Sequence, residues 1–244
     1  MSGMKLSAMV TRRVKLAIEL EGTLAVHAPA ASAGLDEFFA PVEDDGTGFD
    51  AETYFDVLRR KVVWWRERLI HLDLTHQEEL AERAEQRGRE VELAKSLYGR
   101  LVNLRRVSHG LLEEDDLVTL GLAGTVSQDP VTVQRQAEKA WKRFQGDDPK
   151  VRSSRWPQVR EKLTAMADDL GPDVKALAKT VKDLKRTRRK VESAASRKRQ
   201  GIRDFDRHYF WIAKSAEVHL RMAGLEDAAD HVKPQARRLD RDVA

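Results

Sequence analysis

Residues 174–219 read VKALAKTVKDLKRTRRKVESAASRKRQGIRDFDRHYFWIAKSAEVH, with apolar residues recurring at alternating steps of three and four. Eleven of the fourteen positions in this seam are apolar, and Arg188 and Lys198 are its basic interruptions. Such sustained heptad spacing predicts a long helix that packs along another helix as in a coiled coil. The residues expected to make these contacts are Val174, Leu177, Val181, Leu184, Val191, Ile202, Phe205, Tyr209 and Ile212.

The long helix is expected over about residues 172–223, between Pro172 and Gly224. Gly201 lies inside it, and glycine is about 1 kcal/mol less favourable than alanine in a helix interior. We therefore expect either one unbroken helix or two coaxial pieces that bend near Gly201.

A second apolar stripe at helical spacing marks residues 51–72, and Asp50 stands where it can cap the first turn. Thr75-His76-Gln77-Glu78 then matches a capping box, the signature of a helix start. This signature predicts a sharp turn at 73–75 and a further helix over about 76–108 that runs back along the first. Asp129-Pro130 predicts another helix start, because proline is well tolerated at the first helical position.

The predicted fold is all-α: an elongated antiparallel helical bundle with one very long heptad-patterned helix and a short amino-terminal β-hairpin as an added feature. The expected organisation is an amino-terminal segment over 1–34, a linker over 35–49, the helical bundle over 50–232 and a basic tail over 233–244.

The amino-terminal segment permits two interpretations. Val14, Leu16, Ile18 and Leu20 follow the period-two pattern of a half-buried strand, with charged residues at 13, 15, 19 and 21. The next residues could turn into a second strand over 24–26. The same region also has apolar residues at three-and-four spacing, which predicts a helix. A lone strand pair is marginal in water, so a hairpin would pack on the helices or extend a sheet edge of another chain.

Targeting signals are weak in this chain. Arg12-Arg13 superficially matches a twin-arginine export signal, but Glu19 and Glu21 fall where that signal needs an uninterrupted apolar run. No run approaches the ~18 apolar residues of a membrane span. We therefore expect a cytoplasmic protein with no integral membrane span.

Catalytic and metal-binding signatures are missing from the sequence. The absence of cysteine excludes disulfides, iron–sulfur clusters, Cys-ligated zinc and a thiol nucleophile. No His-Glu-x-x-His, Walker loop, dinucleotide fingerprint or Gly-x-Ser-x-Gly elbow occurs. His71, Asp73 and His76 form the best metal candidate, although helix capping at a turn explains them more simply. We expect no catalytic residues, no metal and no cofactor.

The sequence contains two pairs of adjacent aromatic residues, Trp64-Trp65 and Phe210-Trp211, and it is not obvious from the sequence whether both members of each pair are buried. Neighbours on a helix point about 100° apart. Both members of a pair are buried only if that helix is covered on two sides, by the bundle or by another subunit. Core packing is the simpler expectation, and a ligand pocket or an exposed anchor is the alternative.

The charge is strongly polarised. Between Lys175 and Arg207 there are thirteen Lys or Arg against four Asp or Glu, whereas the whole chain carries only +4. A basic helix of this kind can bind nucleic acid or another polyanion, and the residues concerned would be Lys185, Arg186, Arg189, Lys190, Arg197 and Arg199. The competing interpretation is that acidic residues on an antiparallel partner helix neutralise these charges: Glu78, Glu79, Glu82, Glu85, Glu90 and Glu92.

From these patterns we expect a non-catalytic structural or adaptor protein that self-associates or docks in a larger bacterial assembly through long amphipathic helices. The alternative is a nucleic-acid-binding protein that uses the basic helix over 175–207.

Overall fold

The computed structural model describes residues 5–39, 50–145 and 157–234, and all regular structure in these ranges is helical. The all-α class is therefore confirmed. None of the helices in these ranges combines the length with the apolar character needed to cross a bilayer. The helices are α1 (Ala8–Phe39), α2 (Ala51–His109), α3 (Glu114–Leu120), α4 (Pro130–Gln145), α5 (Pro157–Asp168), α6 (Leu170–Met222) and α7 (Glu226–Val232).

Helix α1 includes the whole segment for which a strand pair was one of the two interpretations. The predicted amino-terminal hairpin is therefore wrong. Leu20 is 2% exposed whereas Ile18 is 52% exposed, although a strand would place both on one face. The helix extends to Phe39, into the first residues of the expected linker, and residues 40–49 and 235–244 lie outside the described residues. The buried residues of α1 follow helical spacing: Val10, Arg13, Ala17, Leu20, Leu24, Ala31 and Leu35.

Helix α2 runs unbroken from Ala51 to His109, so the predicted turn at 73–75 is wrong. Asp50 does cap the helix as predicted, because its carboxylate accepts hydrogen bonds from the Thr53 N–H at 2.9 Å and the Thr53 hydroxyl at 2.6 Å. The sequence from Thr75 to Glu78 lies deep inside the helix. Backbone N–H groups there already bond within the helix, which leaves no free donor for a cap to satisfy.

Helix α6 is a single element that passes through Gly201. Gly201 is buried and lies directly against the side chain of Leu72 on α2, where a Cβ would collide. The absence of a Cβ at Gly201 therefore makes room for a terminal methyl group of Leu72. The end of α6 matches its prediction: Gly224 has φ of 74°, and the Leu225 N–H donates to the Leu220 carbonyl at 2.9 Å.

The chain forms two compact units, and α2 and α6 each contribute to both. Unit 1 consists of Met1–Glu78 and Glu192–Ala244. Its core is built from α1, the first part of α2, the last part of α6, and α7. Within unit 1, α2 and α6 run in opposite directions, since Asp73 meets Lys198 while Tyr54, earlier on α2, meets Ser215, later on α6.

Unit 2 consists of Glu79–Val191. Its core joins the last part of α2 to α3, α4, α5 and the beginning of α6. Helix α4 starts as predicted, with the Asp129 carboxylate accepting the Thr132 N–H at 2.9 Å. Gly171 lets α6 approach α4 closely, because a Cβ at this position would lie only 2.8 Å from Cε2 of the Trp141 ring.

Candidate functional site

A buried carboxylate, Asp73 of α2, connects three segments of unit 1. Asp73 is 0% exposed and accepts hydrogen bonds from the backbone N–H and the hydroxyl of Ser7, at 2.7 and 2.9 Å. Gln77 Nε2 donates to it at 3.1 Å, and Lys198 Nζ of α6 lies 2.5 Å from its Oδ1. The carboxylate therefore ties the start of α1 to both α2 and α6.

The ionisation of this cluster follows from its contacts. Burial raises the pKa of Asp73, but hydrogen bonds from Lys198 and Ser7 together lower it by more, so the pKa lies below its ordinary value. Burial, and then the positive charge of Lys198, lowers the pKa of His76. At neutral pH Asp73 is thus ionised and the neighbouring His76 is neutral.

The candidate metal set of His71, Asp73 and His76 lies on α2 and not at a turn. Both carboxylate oxygens of Asp73 are already engaged by Ser7 and Lys198. Across the part of the chain that the structure describes, no group of three or more His, Cys, Asp or Glu side chains is arranged to hold a metal ion. The arrangement around Asp73 suits helix attachment.

A second buried ion pair joins α1 to α6. Arg13 is 1% exposed, and its Nε and Nη2 donate to the two carboxylate oxygens of Asp206 at 2.7 and 2.8 Å. Its Nη1 donates to the Met9 carbonyl at 3.1 Å. This bidentate geometry satisfies the buried guanidinium, while Asp206 remains 25% exposed.

The seam residues of α6 contribute to two separate cores. Ile202, Phe205 and Ile212 are buried in the core of unit 1, and Val174 and Leu177 are buried in the core of unit 2. The other seam positions are buried at Val191 and half-buried at Val181, Leu184 and Tyr209. Each core therefore covers its own part of the seam.

The adjacent aromatic residues are not all core residues. Trp64 is 51% exposed and Trp211 is 64% exposed, and Phe210 is also exposed, whereas Trp65 is half-buried. The core-packing expectation is therefore wrong for Trp64, Phe210 and Trp211. Their spacing contained the signal, because Trp64 and Trp211 each stand one position away from the stripe residues Trp65 and Ile212.

An open groove lies on unit 1 between α2 and α6, and we call it the aromatic groove. Its volume is about 650 Å³, and it is lined by Val57, Arg60, Lys61, Trp64, Trp65 and His208. The Trp65 ring stacks on His208 with centroids 4.4 Å apart, and Trp64 meets Trp65 edge-on at 4.7 Å. The guanidinium of Arg68 lies over the Trp64 ring at 5.2 Å. The groove thus combines aromatic walls with a positive rim.

The candidate polyanion-binding residues divide between the two units. Lys185, Arg186, Arg189 and Lys190 belong to unit 2, and Arg197 and Arg199 belong to unit 1. All are exposed except Lys190, which is half-buried. Its Nζ lies 3.2 Å from Glu82 Oε2 and 3.9 Å from Glu79 Oε2. The acidic part of α2 therefore neutralises Lys190, as one of the two interpretations expected.

No protein-family model, curated protein or solved structure matches this chain. The surfaces described above are therefore the basis for assigning a function.

Proposed function

We propose that this chain is a non-catalytic structural or adaptor protein of the bacterial cytoplasm, which self-associates or docks in a larger assembly through its long amphipathic helices. The observation that supports this most directly is the exposure of Trp211. Its neighbour Ile212 is buried in the core of unit 1, so α6 has one face covered by its own chain and a large apolar ring on another face.

The outer face of α6 carries more than one apolar side chain. Val218 is exposed seven residues after Trp211, a spacing that places the two on the same helix face. Phe210 meets Trp211 edge-on with ring centroids 5.5 Å apart. Large aromatic rings are enriched in protein interfaces because covering them removes much apolar area from water. We call Phe210, Trp211 and Val218 the outer stripe, and a second protein surface is its proposed cover.

The inner seam plays a different part in this proposal. Ile202, Phe205 and Ile212 pack inside unit 1 and are already withdrawn from water. Opening that core to admit a partner would expose these residues at about 1.5–3 kcal/mol each. The outer stripe can be covered without that cost, which favours it as the docking surface.

The test is the molar mass in solution, measured by multi-angle light scattering over a range of concentrations. We expect a mass that rises above the 27.8 kDa of one chain, and that returns to one chain in Trp211→Ser. The matched control is Val26→Ser, which alters an exposed apolar residue of α1 and should leave the association unchanged.

Docking on a different protein is tested by a photocrosslinker placed at position 211 in cells. A defined crosslinked species is expected, and the same crosslinker at position 26 should not form it. A chain that keeps a monomer mass at every concentration and forms no crosslink at position 211 contradicts the proposed function.

Nucleic-acid binding is the second candidate function, and the observation that favours it is the exposure of five cations on α6: Lys185, Arg186, Arg189, Arg197 and Arg199. Exposed arginine and lysine side chains can displace counterions from phosphates, which makes binding strongly dependent on salt. The ion pairs of Lys190 with Glu79 and Glu82 remove one cation from this set.

This candidate is tested by fluorescence anisotropy with labelled duplex and single-stranded probes. With about four phosphate contacts, affinity should fall about a hundredfold between about 50 and 200 mM salt. Replacement of Arg186, Arg189, Arg197 and Arg199 by Glu should abolish binding. The charge-matched control replaces four exposed arginines elsewhere, Arg59, Arg87, Arg106 and Arg135. Equal loss in both sets would contradict a specific role for α6.

A further inference from the structure

The aromatic groove has the size and composition of a small-molecule site. Its volume of about 650 Å³ lies within the range of about 300–1,000 Å³ that is typical of ligand pockets. We propose that it binds a small anion with a flat aromatic body, which packs against the exposed part of the Trp64 side chain while its acidic group lies beside Lys61. None of the outer-stripe residues lines this groove, and the proposal does not depend on the assembly role.

The walls of the groove are suited to a flat ring. Trp64 and Trp65 meet edge-on with an interplanar angle of 85°, so their planes form a corner. Trp65 is held in place by stacking on His208 at an interplanar angle of 22°. Aromatic rings of ligands commonly stack on, or pack edge-on against, exposed aromatic side chains.

The charged side chains at the edge of the groove favour a negatively charged ligand. Lys61 is exposed and forms no ion pair with any carboxylate among the described residues. Arg60 lies 2.9 Å from Asp56, but Asp56 also accepts from Arg59 at 3.0 Å and is therefore shared between two cations. Glu67 adds a further acidic group on this part of α2. On α6, Asp204 stands one turn before His208 and accepts a hydrogen bond from Gln200 at 2.8 Å. The ammonium of Lys61 thus remains available for a ligand carboxylate, sulfonate or phosphate.

The same rim argues against a cationic ligand. Aromatic corners can bind quaternary ammonium groups through their π-faces. Here the guanidinium of Arg68 already lies over Trp64 and Trp65, at 5.2 and 5.9 Å from their ring centroids. A second cation would meet repulsion from Arg68, Arg60 and Lys61, whereas an anion is attracted by all three.

Two contacts between α2 and α6, one beyond each end of the groove, hold these helices together. Beyond one end, the hydroxyls of Tyr54 and Ser215 lie 2.5 Å apart. Beyond the other, Lys198 pairs with the buried Asp73. These contacts fix α2 against α6 in unit 1, so the ligand does not have to order the walls on binding.

The experiment uses two fluorescent probes with the same aromatic body, the anion 8-anilinonaphthalene-1-sulfonate and the neutral N-phenyl-1-naphthylamine. The full chain should bind one anion per molecule with saturable enhancement, and should bind the neutral probe about tenfold more weakly. Lys61→Glu should weaken binding of the anion about fivefold to tenfold and leave the neutral probe unchanged. Trp64→Ala should weaken binding of both probes.

Two controls make the outcome decisive. Lys15→Glu makes the same charge change at an exposed residue of α1, and Trp211→Ala removes an exposed ring outside the groove, so neither should alter probe binding. Circular dichroism verifies that each variant is folded. The proposal is overturned if the anion does not saturate a single site, if both probes bind equally, or if Lys15→Glu has the effect of Lys61→Glu. It is also overturned if Trp211→Ala abolishes probe binding together with self-association, because the probe would then be reporting the outer stripe.

Discussion

At the scale of single residues, Asp73 illustrates how one buried charge can hold several segments. It is ionised because Lys198 and Ser7 compensate the loss of hydration. Removing one member of a buried ion pair leaves the other charge without a partner, which is more costly than losing the attraction itself.

Asp73→Asn is expected to lower the free energy of unfolding by about 3 kcal/mol, because Lys198 would remain largely buried without a countercharge. Urea denaturation at pH 7 measures this change. Asp36→Asn, which neutralises an exposed carboxylate of α1, serves as the control and should have little effect. Equal stability of Asp73→Asn and the parent chain would show that the pair with Lys198 contributes nothing to the fold.

The same variant carries a pH signature. A carboxyl whose pKa is lowered in the folded state stabilises the fold above its unfolded pKa of about 3.9, and this stabilisation is lost as the pH falls through the folded pKa. Above about pH 7 the stability difference between the parent chain and Asp73→Asn should therefore be constant, and below about pH 4 it should shrink. Between these limits His76 also contributes, because the Asp73 charge raises the pKa of His76. A difference that grows as the pH falls below about 4 would have the wrong sign.

The role of Asp73 was not predictable from sequence, although the residue itself attracted notice. His71, Asp73 and His76 stand close together along the chain and suggested a metal. The true partners, Ser7 and Lys198, are 66 and 125 positions away from Asp73. Local spacing contains no information on contacts at such distances, so only the folded arrangement reveals them.

Two glycines of unit 2 should respond oppositely to the same substitution. Gly171→Ala places a Cβ 2.8 Å from the Trp141 ring and should destabilise the chain by about 1–3 kcal/mol. Gly99→Ala meets no atom within 4 Å in the interior of α2 and should stabilise it by about 1 kcal/mol through helix propensity. Thermal unfolding of the two variants side by side is the measurement. Stabilisation by both changes would place Trp141 elsewhere.

At the scale of elements, α1 shows where periodicity is ambiguous. Val14, Leu16, Ile18 and Leu20 satisfy a strand pattern, but the core of unit 1 selects residues at helical spacing along the same segment. A short apolar run cannot decide between the two periods. The longer stripes of α2 and α6 correctly predicted helical structure in both regions. The capping signature at Thr75 wrongly divided α2 into two helices, because the same four residue types also occur inside a helix.

The helical assignment of α1 can be tested with two large apolar residues that lie two positions apart in the sequence, Ile18 and Leu20. Leu20→Ala should cost about 2–5 kcal/mol because Leu20 is buried, and Ile18→Ala should change stability by less than about 0.5 kcal/mol because Ile18 is exposed. Chemical denaturation gives both values. A strand would place the two residues on one face, so equal costs would support the hairpin instead.

At the scale of the whole molecule, the chain has two cores that the sequence did not separate. The expectation was a single bundle over residues 50–232. Helices α2 and α6 enter both units without a break, so no loop or change of composition marks the boundary at Glu79 or Val191. The division follows from which side chains cluster, and that depends on tertiary contacts.

Because the two units have separate cores, we expect each unit to undergo its own local unfolding. Leu101→Ala removes a buried side chain from unit 2, and Phe55→Ala removes one from unit 1. Each should accelerate amide hydrogen exchange mainly in its own unit, because foldons often coincide with compact clusters of contacts. Exchange followed by mass spectrometry resolves the two. Uniform acceleration across the chain after either change would indicate one cooperative core.

The buried guanidinium of Arg13 also bears on how secretion would be assayed. Replacing an arginine pair by two lysines is a natural way to ask whether it directs transport, but lysine cannot reproduce the two parallel bonds to Asp206. The exchange would lower the yield of folded polypeptide wherever the cell sends it. A drop in recovered protein after that change would therefore not by itself indicate a transport defect. A comparison of soluble yield before any transport step would separate a folding defect from a transport defect.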